Sequence, residues 1–259
     1  MNIARLLAAG LVFGCFIDAA RAQDAVGGET RQGFTSFSEV DVTEGSVFAS
    51  TELYASLRGD WSRPGFLLHA YFGAGHYDYR NSDVRGGEVD VVPMSADLLI
   101  GRYGMLGEAS YWNLMIGVGV ENNDLDPNDR SNPVRGSEVG FKVAGEIESD
   151  DELRKFYYHL EGDYTTAYDT YWSRVRLGYG AGRMKFGPEG TFYGDETFNS
   201  QRVGGFLRIP VGANPVIIIA GGYEFVQEKD SGPVDPEGFG GTGGSGDGAY
   251  GTASLEFPF

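Results

Sequence analysis

Alternation with a period of two residues constrains this chain more than any motif. From Tyr111 to Val120 the residues Trp112, Leu114, Ile116, Val118 and Val120 take one side, and Tyr111, Asn113, Met115, Gly117 and Gly119 take the other. That is a strand with one lipid-like face and one small or polar face. Val139, Phe141, Val143 and Ile147 repeat the pattern against Lys142, Ala144 and Glu146, as do Phe156, Tyr158 and Leu160 against Lys155, His159 and Glu161. Between Tyr171 and Ala181 the apolar Tyr171, Val175, Leu177 and Tyr179 oppose Trp172, Arg174, Arg176, Gly178 and Gly180. Charges therefore recur in mid-strand, always on one face. These are strand periods, and an all-β fold follows.

Reading every such run predicts about twelve strands, near 31–41, 46–58, 65–78, 88–103, 108–121, 136–149, 152–163, 168–182, 185–193, 198–209, 215–227 and 248–259. An even count returns both ends to one side. The longest connections, near 79–87, 122–135 and 228–247, are the third, fifth and eleventh, while the fourth, sixth and tenth are short. Barrels of the bacterial outer membrane keep short turns in the periplasm and long loops outside, so this parity fits a single antiparallel transmembrane β-barrel starting in the periplasm. The last residues, Leu255-Glu256-Phe257-Pro258-Phe259, alternate and end on an aromatic carboxylate. This ending resembles the assembly signal of outer-membrane barrels. An open sheet edge has no partner in lipid, so the last strand is expected to close on the first.

The N-terminus points to the same compartment. Met1 to Arg5 is a short positive region, Leu6 to Phe16 is apolar, and Ala20-Arg21-Ala22 is an A-x-A cleavage site, which together read as a signal peptide. A lipobox at Cys15 is the weaker alternative, because Phe13 is bulky for it. The expected organisation is a signal peptide over 1–22, a flexible segment over 23–30 and a barrel over 31–259, exported through the periplasm to the outer membrane. Cys15 is the one cysteine, and it would leave with the signal. The formal charge of −17 argues against nucleic acid as a partner.

Motifs for chemistry are sparse. Gly73-Ala74-Gly75 and Gly178-Tyr179-Gly180 lack the Lys-Ser/Thr pair and helix of a phosphate loop. Glycines on a lumen face that let aromatic rings lie flat are the better reading. Asp124-Leu125-Asp126-Pro127-Asn128-Asp129 opens like a calcium loop, but Asp129 replaces the turn glycine and Arg135 replaces the bidentate Glu. The run reads as solvated charge, and neither metal nor cofactor is expected. The histidines are His69, His76 and His159, and none has a nucleophile motif beside it. His69 and His159 fall on inward faces, whereas His76 points outward near a rim.

The inward face is the informative one. Alternation assigns the lumen Tyr54, Tyr71, Asp97, Lys142, Glu146, Tyr157, Glu161, Trp172, Arg174, Arg176, Arg202 and Arg208, together with Glu52, Arg58, Lys155, Asp163 and Glu224. Both signs are well represented. One reading is a salt-bridged plug, since buried charges must be paired. The other is a hydrated pore whose aromatics stack a sugar chain. Twelve strands lie between the filled eight and the open sixteen, so geometry leaves both standing. A largely filled lumen is the expectation.

Specific words add what periodicity does not. The stretch from Leu125 through Asp126, Pro127, Asn132, Pro133, Arg135 and Gly136 to Lys142 resembles the most recognisable segment of the cellulose biosynthesis protein BcsS family. Phe186-Gly187-Pro188-Glu189, then Gln201-Arg202-Val203-Gly204 and Phe206, is similar to that family's later block, and Gly65-Phe66-Leu67-Leu68 with Tyr71 to Tyr77 to its early one. The resemblance implies a non-catalytic outer-membrane accessory to cellulose biosynthesis and export, acting as conduit or scaffold. Its partners would be outer-membrane lipid, the cellulose chain and the cellulose secretion machinery. The alternatives are an outer-membrane enzyme acting on lipid or polysaccharide, and a secreted polysaccharide-binding β-protein. Within these blocks Asn132-Pro133 should start a turn that Gly136 ends, and Gly187-Pro188 should bend or shorten the ninth strand. Arg135, Lys142, Glu189 and Arg202 are expected to gather at one end of the lumen.

Overall fold

The computed structural model describes residues 33–258, apart from 60, 62, 83, 85, 108–109, 150–154, 213–214 and 230–246. The expected signal peptide and the 23–30 segment lie outside the described residues. The strands are β1 (Phe34–Thr43), β2 (Ser46–Ser56), β3 (Gly65–Arg80), β4 (Glu88–Met105), β5 (Ser110–Asp126) and β6 (Gly136–Ser149), followed by β7 (Phe156–Thr165), β8 (Tyr171–Ala181), β9 (Met184–Gly194), β10 (Phe198–Pro210), β11 (Val216–Glu228) and β12 (Gly248–Pro258). Each pairs antiparallel with its sequence neighbours, and β12 returns to β1 in a register running from Thr35↔Pro258 to Thr43↔Tyr250. The result is one closed barrel, not a two-sheet sandwich.

Its polarity is inverted relative to a soluble domain. Leu98, Ile100, Leu114, Ile116, Val118, Val139 and Phe141 are exposed on the outside, while Arg174, Arg176 and Glu189 are buried inside. Apolar surface in water costs about 25 cal/mol per Å², so an exterior of this kind is matched to hydrocarbon. Exposed aromatics gather towards both ends of it. Phe156, Tyr179 and Phe186 are register neighbours across β7, β8 and β9 at the rim of the even-numbered connections. Tyr164, Phe192, Tyr223 and Phe225 lie towards the opposite rim. Phe156 and Tyr164 stand at the two ends of β7, separated by roughly 26 Å of strand; a tilt of about 35–45° shortens this to roughly 19–22 Å, within the ~25 Å apolar band of such barrels.

Two prolines mark the ladder without ending a strand. Pro188 keeps its partner Gly205 on β10, but the β8–β9 register skips from Arg176↔Glu189 to Tyr179↔Phe186. The expected shortening of the ninth strand does not occur, and it runs unbroken from Met184 to Gly194. Proline lacks an N–H, and only the side facing β8 loses pairs. Pro93 does the same to the β3–β4 ladder, which passes from Ala74↔Met94 to Tyr77↔Val91. The glycines of β3 behave as expected: a Cβ on Gly73 would fall 2.6 Å from Phe48 Cζ and 2.5 Å from the Tyr71 hydroxyl.

At the odd-numbered rim β3, β4 and β5 outrun the other strands, at 16, 18 and 17 residues. They are held by a cluster of Tyr77, Tyr79, Val89, Val91 and Leu125. This packing carries β5 to Asp126, so the fifth connection is shorter than the sequence suggested. Arg58 and Lys155, assigned inward by alternation, lie exposed in turns at the other rim, where the strands have already ended. The second connection also departs from the parity rule, because it is long and folds Trp61 against Tyr103, ring centroids 4.7 Å apart.

The loop after β5 is built, not merely solvated. Asp129 is 2% exposed. Its carboxylate accepts from the Tyr79 hydroxyl at 2.8 Å, Asn81 Nδ2 at 2.7 Å, and Ser131 N and Oγ at 2.9 and 2.6 Å. Asn132 donates to Tyr79 Oη at 3.1 Å and accepts from Val134 N at 3.0 Å, making the expected Asx turn. The chain turns through Gly136 at φ +78° into β6. Burial pushes the Asp129 carboxyl up, but hydrogen bonds from Ser131, Asn81 and Tyr79 outweigh it and hold the group below its ordinary value. A depressed carboxyl stabilises the folded form above the ordinary aspartate range, and that contribution is lost as pH falls through the lowered value. Asp129→Ala should therefore open residues 127–135 to protease at neutral pH with the barrel's heat-modifiability intact. In the wild type, limited proteolysis should show the same loop resisting until the pH drops below the ordinary aspartate range.

Candidate functional site: the lumen

Strand alternation sends every second side chain inward, and closure packs these against one another. The half of the lumen nearer the chain ends is filled. Tyr157, Phe206, Val216, Ile218 and Ala220 form one apolar cluster, with Phe37 against it. Leu67, Leu99, Tyr103 and Met115 form another, with Tyr54 and Trp61 packed on it. Between them Arg176 Nε meets Glu189 at 2.6 Å, both side chains 1% exposed, and Arg208 reaches Glu256 at 3.3 Å. The Tyr111 hydroxyl lies 2.7 Å from both Glu146 and Glu148, which also accept from Asn113 at 2.7 Å and Tyr157 at 2.6 Å respectively. His159 Nε2 is 2.9 Å from Glu146. Glu146, Glu148 and His159 bring possible metal-ligating atoms within 4.8 Å of one another. The carboxylate oxygens of that group are already engaged by the tyrosines and Asn113.

Above this floor the lumen opens into a cavity of about 360 Å³. Tyr54, Tyr71, Asp97, Lys142, Glu146, Glu161, Trp172, Arg174 and Arg202 line it. Tyr157, Arg176 and Arg208, assigned with them from the sequence, sit in the filled half instead. Alternation sets which way a side chain points; depth along the barrel decides what it meets.

Some ion pairs cross the lumen between strands that are not neighbours, and others tie adjacent strands together. Arg174 on β8 grips Glu39 on β1 with Nη1 and Nη2 at 2.9 and 2.6 Å, and Ser254 on β12 donates to the same carboxylate at 2.8 Å. Arg202 on β10 reaches Asp41 on β1 at 2.5 Å and Glu224 on β11 at 3.1 Å. Lys142 on β6 lies between Asp97 at 2.5 Å and Asp163 at 3.0 Å. Glu52 holds His69 at 3.1 Å and accepts from Tyr54 at 2.6 Å. The expected gathering of Arg135, Lys142, Glu189 and Arg202 does not form. Each of the last three has a nearer partner of opposite charge, and Arg135 is exposed in its loop.

Glu39, Asp41, Glu148 and Glu256 were not assigned from the sequence, although the signal was there. Phe37, Glu39 and Asp41 alternate with Ser36, Ser38 and Val40, and Glu256 alternates with Leu255 and Phe257. The short polar outward residues of β1 hid the period. On the outer face His76 Nε2 lies 3.1 Å from Asp90.

The profile of the cellulose biosynthesis protein BcsS family matches residues 35–259, the whole barrel. The chain belongs to the BcsS family. Among curated proteins none matches the sequence. Solved barrels of similar shape include the beta domain of the Bordetella autotransporter Brka, at 11% identity, 89% of this chain, 100% of that one and TM-score 0.46. The translocator domain of autotransporter NalP from Neisseria meningitidis follows at 9% identity, 99% of both chains and TM-score 0.35. CdiB from Acinetobacter baumannii has 8% identity over 87% of this chain and 60% of its own, with TM-score 0.37. These likenesses say nothing about function.

Removing one member of a buried ion pair strands the other, at a cost of roughly 3–5 kcal/mol. Arg174→Ala should therefore destabilise the barrel by about that much, as Glu39 and Glu161 lose their cation. The Arg174→Leu/Glu39→Leu pair should cost clearly less than the sum of its single changes. Urea unfolding in detergent, followed by tryptophan fluorescence, measures both.

Proposed function

We propose that this BcsS-family protein is a closed, non-catalytic outer-membrane scaffold for cellulose production, not a conduit through which the polymer passes. The inverted exterior with aromatics towards both rims supports the outer membrane as its site, and membership of the family supports the link to cellulose. The observation that carries the scaffold reading is the filled half of the lumen. Two apolar clusters and the Arg176–Glu189 and Arg208–Glu256 pairs occupy the cross-section there. A continuous path would require unpairing buried charges, each at several kcal/mol. Contact with the secretion machinery would then fall to the rims and loops.

Planar-bilayer recording on the purified, folded chain tests this. Wild type should insert without steady single-channel conductance. Arg176→Ala with Phe206→Ala, which empties part of the filled half, should produce conducting events. Steady conductance of wild type, blocked by cello-oligosaccharide, would establish the conduit instead.

A further inference from the structure

We propose that the open half of the lumen is a blind binding slot for an uncharged, flat pyranose chain of the β-linked glucan class, entered from the odd-numbered rim. The inference rests on the scaffold reading, because the slot needs its floor. In the closed strand order β2 and β3 stand across the barrel from β8 and β9. Most of the cavity's inward aromatic side chains divide between those walls: Phe48, Tyr54, Tyr71 and Tyr77 on one, Trp172 and Tyr193 on the other, with Phe37 on β1 and Phe198 on β10 beside them. The space between is edged by hydrogen-bonding groups, notably Asp97, Asp163 and Glu121. A β-linked pyranose chain has matching anisotropy, with C–H groups on its ring faces and hydroxyls along its edges. Rings cover the faces, and carboxylates accept from the edges.

Two further observations narrow the ligand. Three of the platforms are fixed in orientation by cations: Arg174 is 4.6 Å from the Trp172 ring, Arg202 4.9 Å from Tyr193 and Lys142 5.4 Å from Tyr71. Rings held before binding lose little freedom on binding. Carboxylates on the lining also outnumber Lys142, Arg174 and Arg202 three to one. That excess repels polyanionic glycans and leaves a neutral one acceptable. The floor at Tyr54, His69 and Glu146 stops the chain, so the slot takes an end or a short segment and holds it at the outer face.

The test uses the full chain folded in detergent, with heat-modifiability as the check of folding, and titration of cellohexaose by calorimetry and tryptophan fluorescence. Of the three tryptophans, Trp172 is the one on the cavity lining. Saturable binding is expected, weakened roughly ten-fold by Trp172→Ala and unchanged by Trp112→Phe. Maltohexaose and oligogalacturonate should bind at least roughly ten-fold more weakly than cellohexaose. Should Trp172→Ala fail to fold, Tyr71→Ala should show the same loss. A folded wild type with no saturable binding at millimolar sugar, equal affinity for maltohexaose, or binding indifferent to both ring deletions would overturn the slot. Bilayer recording on the same preparation separates the two ideas: a silent barrel that ignores cellohexaose removes the slot and leaves the scaffold, while steady conductance removes the floor itself.

Discussion

A peptide group inside a bilayer has no water to turn to, and the pairing of β12 with β1 removes the last unpaired edge of this sheet. Everything else depends on that closure. It puts the apolar face of each strand outside, where hydrocarbon meets it, and forces the opposite face into a confined lumen. A charge on an open sheet would find solvent. Here Arg174 and Glu39 find each other from strands β8 and β1, which share no ladder.

The lumen responds to confinement in two ways along its length. Towards the chain ends, large apolar residues alternate with ion pairs so that little space is left, and Trp61 folds in from its turn to complete the layer. Towards the other rim the inward residues are carboxylates and rings held apart by shared cations. Lys142 sits between two aspartates and Arg202 between Asp41 and Glu224, so each cation braces more than one strand. The cavity thus lies among these braces.

The family's most recognisable segment makes sense in the same terms. Asp129 and Asn132 fasten the loop after β5 to Tyr79 of β3, and the three long strands beneath stand above the rim as a continuous wall. A carboxylate surrounded by that many donors is a structural node. Its sequence pattern looks like a solvated acidic run because two of its donors, Tyr79 and Asn81, come from a hairpin some fifty residues earlier.

Period-two alternation and the parity of connection lengths were enough, without coordinates, for strand number, antiparallel closure, and the inward direction of Trp172, Lys142 and Arg174. That information is local: side chains on a strand alternate whatever the strand is packed against. Partner choice is not local. Whether Arg202 would meet Glu189 or Asp41, whether Tyr157 would line a cavity or fill a floor, and whether Asp129 would be solvated or buried all depend on register and depth across a closed sheet. Those are set only when twelve strands share one circumference, and distance through the lumen replaces distance along the chain.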